Sequence, residues 1–554
     1  MLTQKRYLII DDSTTFVALA RSILLDAGVG NDNIHSTLDS LKAFRLLVQH
    51  QFDVVLCDYN MGSNIDGGLI LDEIRQRRLL SPQGVFFCIT GDSSKEVVTH
   101  FIEMEPDDYL TKPFRYQDLI ERLKVAIKRK EALYPLLQAL ENRAWQTVVD
   151  LTDHYLDRHP EFAQYLHRVH GDCLLRMRRH QDALEFYREQ AQLTEQCWPI
   201  IGMGQALQGL GELEAAEQMF ARALANDPAN PVAQRTLAAC ILAKDDYPRA
   251  LKQFQELHQL SPANPLRMLV IANLFAILGQ QDNAAIHYEK YIDKVKDTNR
   301  YTLGLHIHTY LCLLFATYRC DNPKRRQLLL NEARHRLTGL AQRSEEQEED
   351  HSPHPGFQLA AGLFAMLEGK VELGFHSAAK LTDRLDELEF HLLLDAARLF
   401  GLCGLPREYR RCLEQARQCC ESVDDDTVML SQVKLLMAVK TETEERLQEG
   451  SRLAESAQLL RQRPQAALEQ AVSAFASVPF LPALSLLLLE LLGSESPSWM
   501  EPAQRQTMLD GCLWLYQHDS RTTAEQKSQA TRLYQKALDP KKPGVNQTET
   551  EQTA

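Results

Sequence analysis

From Met1 to Lys130, short apolar runs alternate with stretches in which apolar residues return every three to four positions. The runs are rich in β-branched residues and uninterrupted, the pattern of strands buried on both faces. They fall at 7–10, 34–37, 52–58, 85–89 and 108–111. Helical periodicity starts at Ser13 and stops at Gly28, then spans 38–50. It follows a loop holding Gly62, Gly67 and Gly68 to reach Arg78, resumes after Ser93, and starts again at Tyr116. Five βα units with right-handed crossovers predict a doubly wound parallel α/β domain over 1–130.

After Glu131 no strand pattern remains, and the helical periodicity acquires a longer repeat. Ala216, Ala250 and Ala284 recur at one fixed step, and Phe220, Phe254 and Tyr288 keep it, as do Gly204, Ala238 and Ala272. Leu207, Ile241 and Phe275 share the step, and so do Pro228 and Pro262. Small residues let two helices approach, and an aromatic fills the gap to the next pair. This period resembles the tetratricopeptide repeat, which implies an all-α solenoid whose groove binds a protein or peptide. The expected repeats occupy 131–300, with the best copies at 164–196, 197–230, 231–264 and 265–298. Gln205 and Asn273 fall at expected groove positions. Divergent hairpins are expected over 301–538, around 301–340, 357–385, 388–420, 427–447, 450–478 and 480–535. The acidic run at 345–350 reads as an exposed loop, and the polar tail at 539–554 as disordered.

The linker between the two parts is short. The helix from Tyr116 is expected to run to Tyr134, to break at Pro135 and to restart at Leu136. No Gly/Ser-rich tether separates them.

Composition changes this picture only by exclusion. Net charge is −14, which argues against a general nucleic-acid surface. The basic group Arg122, Lys124, Lys128, Arg129 and Lys130 reads as a solvated helical face. No signal peptide is expected, and the most apolar late stretch, 481–492, is too short to span a bilayer. The twelve cysteines include no Cys-x-x-Cys pair and sit mostly in apolar helical patterns, as buried thiols of a cytoplasmic protein do.

The candidate chemistry sits where the strands end. Asp11-Asp12 follow the first strand, Asp58 closes the third, Thr90-Gly91 follow the fourth, and Lys112-Pro113 follow the fifth. In an open α/β sheet these ends meet at one edge. Taken singly, an Asp-Asp pair is a helix N-cap signal and a lysine is a solvated lysine. Their order and spacing in one βα frame resemble the receiver domain of two-component response regulators. That resemblance implies Asp58 as phosphoacceptor from a sensor histidine kinase. It implies Mg²⁺ held by Asp12, Asp58 and the Asn60 backbone carbonyl, with Asp11 acting through water. Lys112 would pair with the acyl phosphate, Thr90 would bond another oxygen, and Tyr109 would act with Thr90 as a switch. Lys112-Pro113 is a candidate cis peptide. The domain departs from the family pattern at Gly62, where proline is usual, at Asp66-Gly67, displaced by one residue, and at Glu105-Pro106.

The expected function is therefore a response regulator acting through protein–protein contacts of its repeats. It is not an enzyme beyond its own phosphotransfer and dephosphorylation. In the family it resembles, the positions of Asn60 and Asp92 influence how readily water attacks the acyl phosphate, and this resemblance implies a phosphoryl lifetime of minutes. The alternative is a phosphorelay modulator that binds and inhibits or drains a histidine kinase. A third class is a transcription factor with an unrecognised DNA-binding segment. No kinase, cyclase or helix-turn-helix signature follows the receiver.

Overall fold

The computed structural model describes residues 2–538, apart from 63–64, 93, 95–96, 98–99, 101–102, 318–319, 321, 348–352, 495–496 and 520–521. The expected tail at 539–554 and most of the helix after Ser93 lie outside the described residues. The chain divides into two compact units, one of Met1–Leu278 with Ile286–Thr302, the other of Gly279–Ala285 with Leu303–Ala554.

The first unit opens with five parallel strands: β1 (Tyr7–Ile10), β2 (Ile34–Thr37), β3 (Val54–Asp58), β4 (Val85–Thr90) and β5 (Asp108–Thr111). Their order in the sheet is β2-β1-β3-β4-β5. Strand alternation divides the apolar residues between two layers. Tyr7 and Ile9 join the cluster of Phe16, Leu24, Leu119 and Leu123, whereas Leu8 and Ile10 join that of Phe44, Leu47, Ile70 and Ile74. Helices α1 (Thr14–Asp26) and α4 (Tyr116–Ala132) supply the first layer, α2 (Ser40–Gln49) and α3 (Gly67–Arg77) the second. Three starts are fixed by caps: Ser13 accepts from the Phe16 N–H, Asp39 from Lys42, and Asp66 from Leu69.

Gly67 and Gly68 are not loop residues as expected; they open α3. A β-carbon on Gly67 would stand 2.8 Å from the Asp58 carbonyl oxygen, and one on Gly68 would stand 2.6 Å from His100 Nε2. Close approach, not turn geometry, requires glycine there. The helix break expected at Pro135 also moves. α4 ends at Ala132 and the next helix spans Tyr134–Glu141, with Pro135 in its first turn, where a missing N–H costs nothing.

The helices that follow pack on their chain neighbours. The segments Leu213–Asn226, Tyr247–Leu260 and Gln281–Val295 start at the same fixed step that the sequence repeats. Phe220, Phe254 and Tyr288 are buried, and the glycines beneath the aromatics have no room for a side chain. A β-carbon on Gly204 would lie 2.4 Å from Phe220, and one on Gly202 would lie 2.3 Å from Tyr187. Asn273, expected in the groove, is fully buried and accepts from the Tyr288 hydroxyl at 2.6 Å; it is a packing residue.

The second unit is helical throughout its described residues. The hairpin expected at 427–447 and the start of the next are instead one helix, Asp426–Leu459. Within it Gly450 is a contact point, its β-carbon position 2.8 Å from Ser477. The helix Pro323–Gln347 runs into the acidic run expected as loop; 348–352 lie outside the described residues. No helix among the described residues is long and apolar enough to cross a membrane. All twelve cysteines are free, and only Cys197, Cys320 and Cys419 are not fully buried.

Candidate functional site: an acidic cluster at the sheet edge

The parallel register brings the strand ends level. Tyr7 to Ile10 of β1 pair with Val54 to Cys57 of β3, so Asp11 and Asp58 are the next residues on adjacent strands. Asp58 in turn pairs with Ile89 of β4, and Thr90 with Thr111 of β5. The backbone locks this edge: Tyr59 N–H donates to the Ile89 carbonyl at 2.8 Å and Lys112 N–H to the Thr90 carbonyl at 2.6 Å.

Lys112 crosses the edge. Its ammonium donates to Asp11 Oδ2 at 2.7 Å and Asp58 Oδ1 at 2.9 Å, and it lies 4.0 Å from the Phe16 ring centroid. The Lys112-Pro113 bond is cis. Asp11 and Asp58 are buried and Asp12 is exposed. One carboxylate oxygen from each lies within 4.8 Å of the others. Burial pushes the Asp58 carboxyl up from its ordinary range; Lys112 opposes this, while Asp11 and Asp12 reinforce it. Burial alone would lower the Lys112 ammonium, but its bonds to Asp11 and Asp58 win and raise it. Three oxygen donors beside one retained cation suit a small hard divalent ion, so the cluster can bind a metal.

The remaining expected site residues are placed less directly. Asn60 donates its N–H to Asp58 Oδ2 at 3.1 Å. Thr90 is almost fully buried, and its hydroxyl oxygen accepts from the Asp92 N–H at 3.0 Å. Tyr109 lies on β5 opposite Cys88, its ring exposed. Gly91 has open space where a side chain would stand. Gly62 has a physical reason to replace proline: its φ is +60°, and a β-carbon there would meet Asp12 Oδ2 at 2.9 Å.

Periodicity alone did not bring out the residues that join this domain to the helices after it. Glu103 pairs with Arg267, and Asp72 with Arg300. Basic residues of α4 also find acids within the domain: Arg122 pairs with Asp108 at 2.8 Å, and Lys130 with Asp107 at 2.9 Å. A lone acid and a lone arginine far apart in the chain carry no sequence signal of contact.

Residues 7–124 match the response regulator receiver domain family. This part of the chain is a receiver domain of two-component signalling, and a long helical region follows it. The chain is similar to the Vibrio cholerae chemotaxis protein CheY-3, 29% identical over 124 residues, which are 22% of this chain and 92% of that protein. It is also similar to the uncharacterized transcriptional regulatory protein YclJ of Bacillus subtilis, 27% identical over 127 residues; the match covers 23% of this chain and about half (52%) of YclJ. Among solved structures, the V. cholerae chemotaxis response regulator CheY4 matches at 22% identity and a TM-score of 0.21, over 22% of this chain and 99% of that one.

Proposed function

We propose that Asp58 accepts a phosphoryl group from the phosphohistidine of a sensor kinase, and that the helical region passes the signal on by binding a protein or peptide. The observation that carries this reading is the Lys112 ammonium between Asp11 and Asp58. It offsets repulsion between a carboxylate nucleophile and an anionic phosphoryl donor. An Asp58 oxygen attacks phosphorus, the N–P bond breaks, and the imidazole nitrogen leaves with the electron pair. Asp11, Asp12 and Asp58, with the Asn60 carbonyl, would hold Mg²⁺, which supplies charge neutralisation on the transferring group. Lys112 would hold one acyl-phosphate oxygen, Thr90 another, and Tyr109 would follow Thr90. The chain's own chemistry is confined to this transfer and to hydrolysis of the acyl phosphate by water, which frees Asp58 and releases inorganic phosphate, in the cytoplasm.

The helical region is read as a tetratricopeptide-like solenoid. The constant step of its helix starts and the glycines beneath Tyr187 and Phe220 support this. The net charge of −14 and the ion pairs of Arg122 and Lys130 argue against a nucleic-acid surface on α4. The test is labelling by acetyl phosphate with and without Mg²⁺. Labelling of the full chain that needs Mg²⁺ and disappears in Asp58→Ala supports the reading; equal labelling of Asp58→Ala overturns it.

A further inference from the structure

One face of the receiver is already covered, and by this chain's own helices. Arg267, in the first turn of the helix Pro265–Ile277, forms an ion pair with Glu103; the two side chains are 5% and 6% exposed. The same guanidinium donates to the Leu257 carbonyl at 2.8 Å and the Ser261 carbonyl at 2.9 Å, which fixes the corner between two successive helices. Ser261, fully buried, places its hydroxyl 3.3 Å from His100 Nδ1. Ala263 packs on the receiver layer that holds Phe44, Leu69 and Ile74. A second anchor lies on α3: Arg300 holds both oxygens of Asp72, and the Asn299 N–H donates to Glu73 Oε2 at 3.0 Å.

The covered face is continuous with the acidic cluster. Tyr59 follows Asp58 directly, and its ring lies 5.7 Å from that of His100. Its carbonyl accepts from Gly67, where a β-carbon would meet the Asp58 carbonyl oxygen. His100 and Met104 crowd Gly68. Tyr59, Gly67, Gly68 and His100 therefore form one packed layer between Asp58 and the Ser261–Arg267 corner. Any adjustment of the backbone around Asp58 has to move this layer. While the corner is docked, such movement pulls on an ion pair shielded from water, and a buried pair tolerates partial separation poorly because neither charge is resolvated.

We propose that the receiver face formed by α3 with His100 and Glu103 is an internal docking surface whose occupant is the Ser261–Arg267 corner and the Asn299–Arg300 turn. In this proposal docking holds Asp58 in its low-affinity form. It deepens the phosphoacceptor reading above and rests on it. By linkage, whatever releases the corner tightens binding of a phosphoryl group at Asp58, and a phosphoryl group at Asp58 loosens the corner by the same factor. A partner that needs this receiver face competes with the repeats for it.

The test uses the full chain with Mg²⁺ and beryllofluoride, a phosphoryl mimic, followed by amide hydrogen exchange. In the wild type, beryllofluoride should speed exchange over 257–267. Glu103→Gln should speed it there without beryllofluoride and lower the half-saturating concentration about fivefold. Glu103→Asp, which keeps an acid for Arg267, should move both readings less than Glu103→Gln does. If Glu103→Gln does not fold, Ser261→Ala carries the same comparison. Opening of the corner with unchanged half-saturation overturns the docking proposal alone. Wild-type binding that survives Asp58→Ala, or no binding at all, overturns the phosphoacceptor reading and the docking proposal with it.

Discussion

Lys112 and Asp58 carry opposite costs, and each implies a different experiment. The Lys112 ammonium is bonded to both buried carboxylates of the cluster. Replacing it by methionine keeps the stem and removes the charge that meets the developing phosphoryl oxygen. Removal of one such electrostatic contact slows a group transfer by about 10²-fold. Labelling of Lys112→Met by acetyl phosphate, followed on phosphate-affinity gels, is expected to fall by about that factor while far-UV circular dichroism stays unchanged. Asp58 is different, because its ionised form is held where burial and two neighbouring carboxylates disfavour it. Asp58→Asn removes one of three clustered negative charges and keeps the shape. Without divalent metal its thermal midpoint should rise above wild type, and adding Mg²⁺ should raise the wild type more than the variant. A variant less stable than wild type in chelator would show that the Asp58–Lys112 pair outweighs the repulsion.

At the scale of elements, glycine and aromatic spacing decides both stability and how far the sequence could be followed. Phe220 is fully buried over Gly204, where no side chain fits. Phe220→Ala should therefore cost about 3–5 kcal/mol, read as a lower urea midpoint for the unit that holds it, and Gly204→Leu should do similar damage by overpacking. The five strands and the meeting of Asp11, Asp12, Asp58 and Lys112 were legible in the sequence because strand ends in a parallel sheet converge and buried strands leave a local apolar signal. The misreadings share one cause. Gly67 and Gly68 looked like loop residues, yet each is a helical residue that another element approaches closely. Asn273 looked like a groove polar residue because nothing local reveals the Tyr288 hydroxyl that satisfies it. The Glu103–Arg267 and Asp72–Arg300 pairs were out of reach for the same reason, since they depend on how distant helices are brought together.

At the scale of the whole molecule, the second unit has an ionic centre of its own, remote in sequence from the receiver. His308, on the helix Leu303–Ala316, is buried and bonds Asp395 through Nδ1 at 2.7 Å; Cys312 Sγ lies 3.4 Å from its other nitrogen. Asp395 also accepts from Arg398 at 2.9 Å, and Arg398 stacks 4.4 Å over Phe315. Burial alone would lower the His308 imidazole, but the Asp395 carboxylate beside it dominates and raises it to about 10. The neighbouring His391, with ring centroids 4.9 Å away, is driven the other way by burial and by His308, so one imidazolium and one neutral imidazole share the site. A histidine with a folded pKa above its unfolded value binds its proton more tightly in the native state. Its contribution is complete below about 6.5, the unfolded value, and is lost as pH rises toward about 10. His391 has the reverse sign and contributes an opposing loss as pH falls below the unfolded value. Comparing wild type with His308→Gln reads the first effect, with His391 also freed from its neighbour's charge. In urea unfolding followed by circular dichroism, the stability gap between the two should be largest near pH 6, on the order of 3 kcal/mol for breaking a buried pair. It should shrink steadily toward pH 10. Asp58 labelling should be the same in both proteins, because the substitution leaves the acidic cluster intact. A gap that stays constant from pH 6 to pH 10 would mean that His308 is neutral in the folded protein and that Arg398 alone balances Asp395.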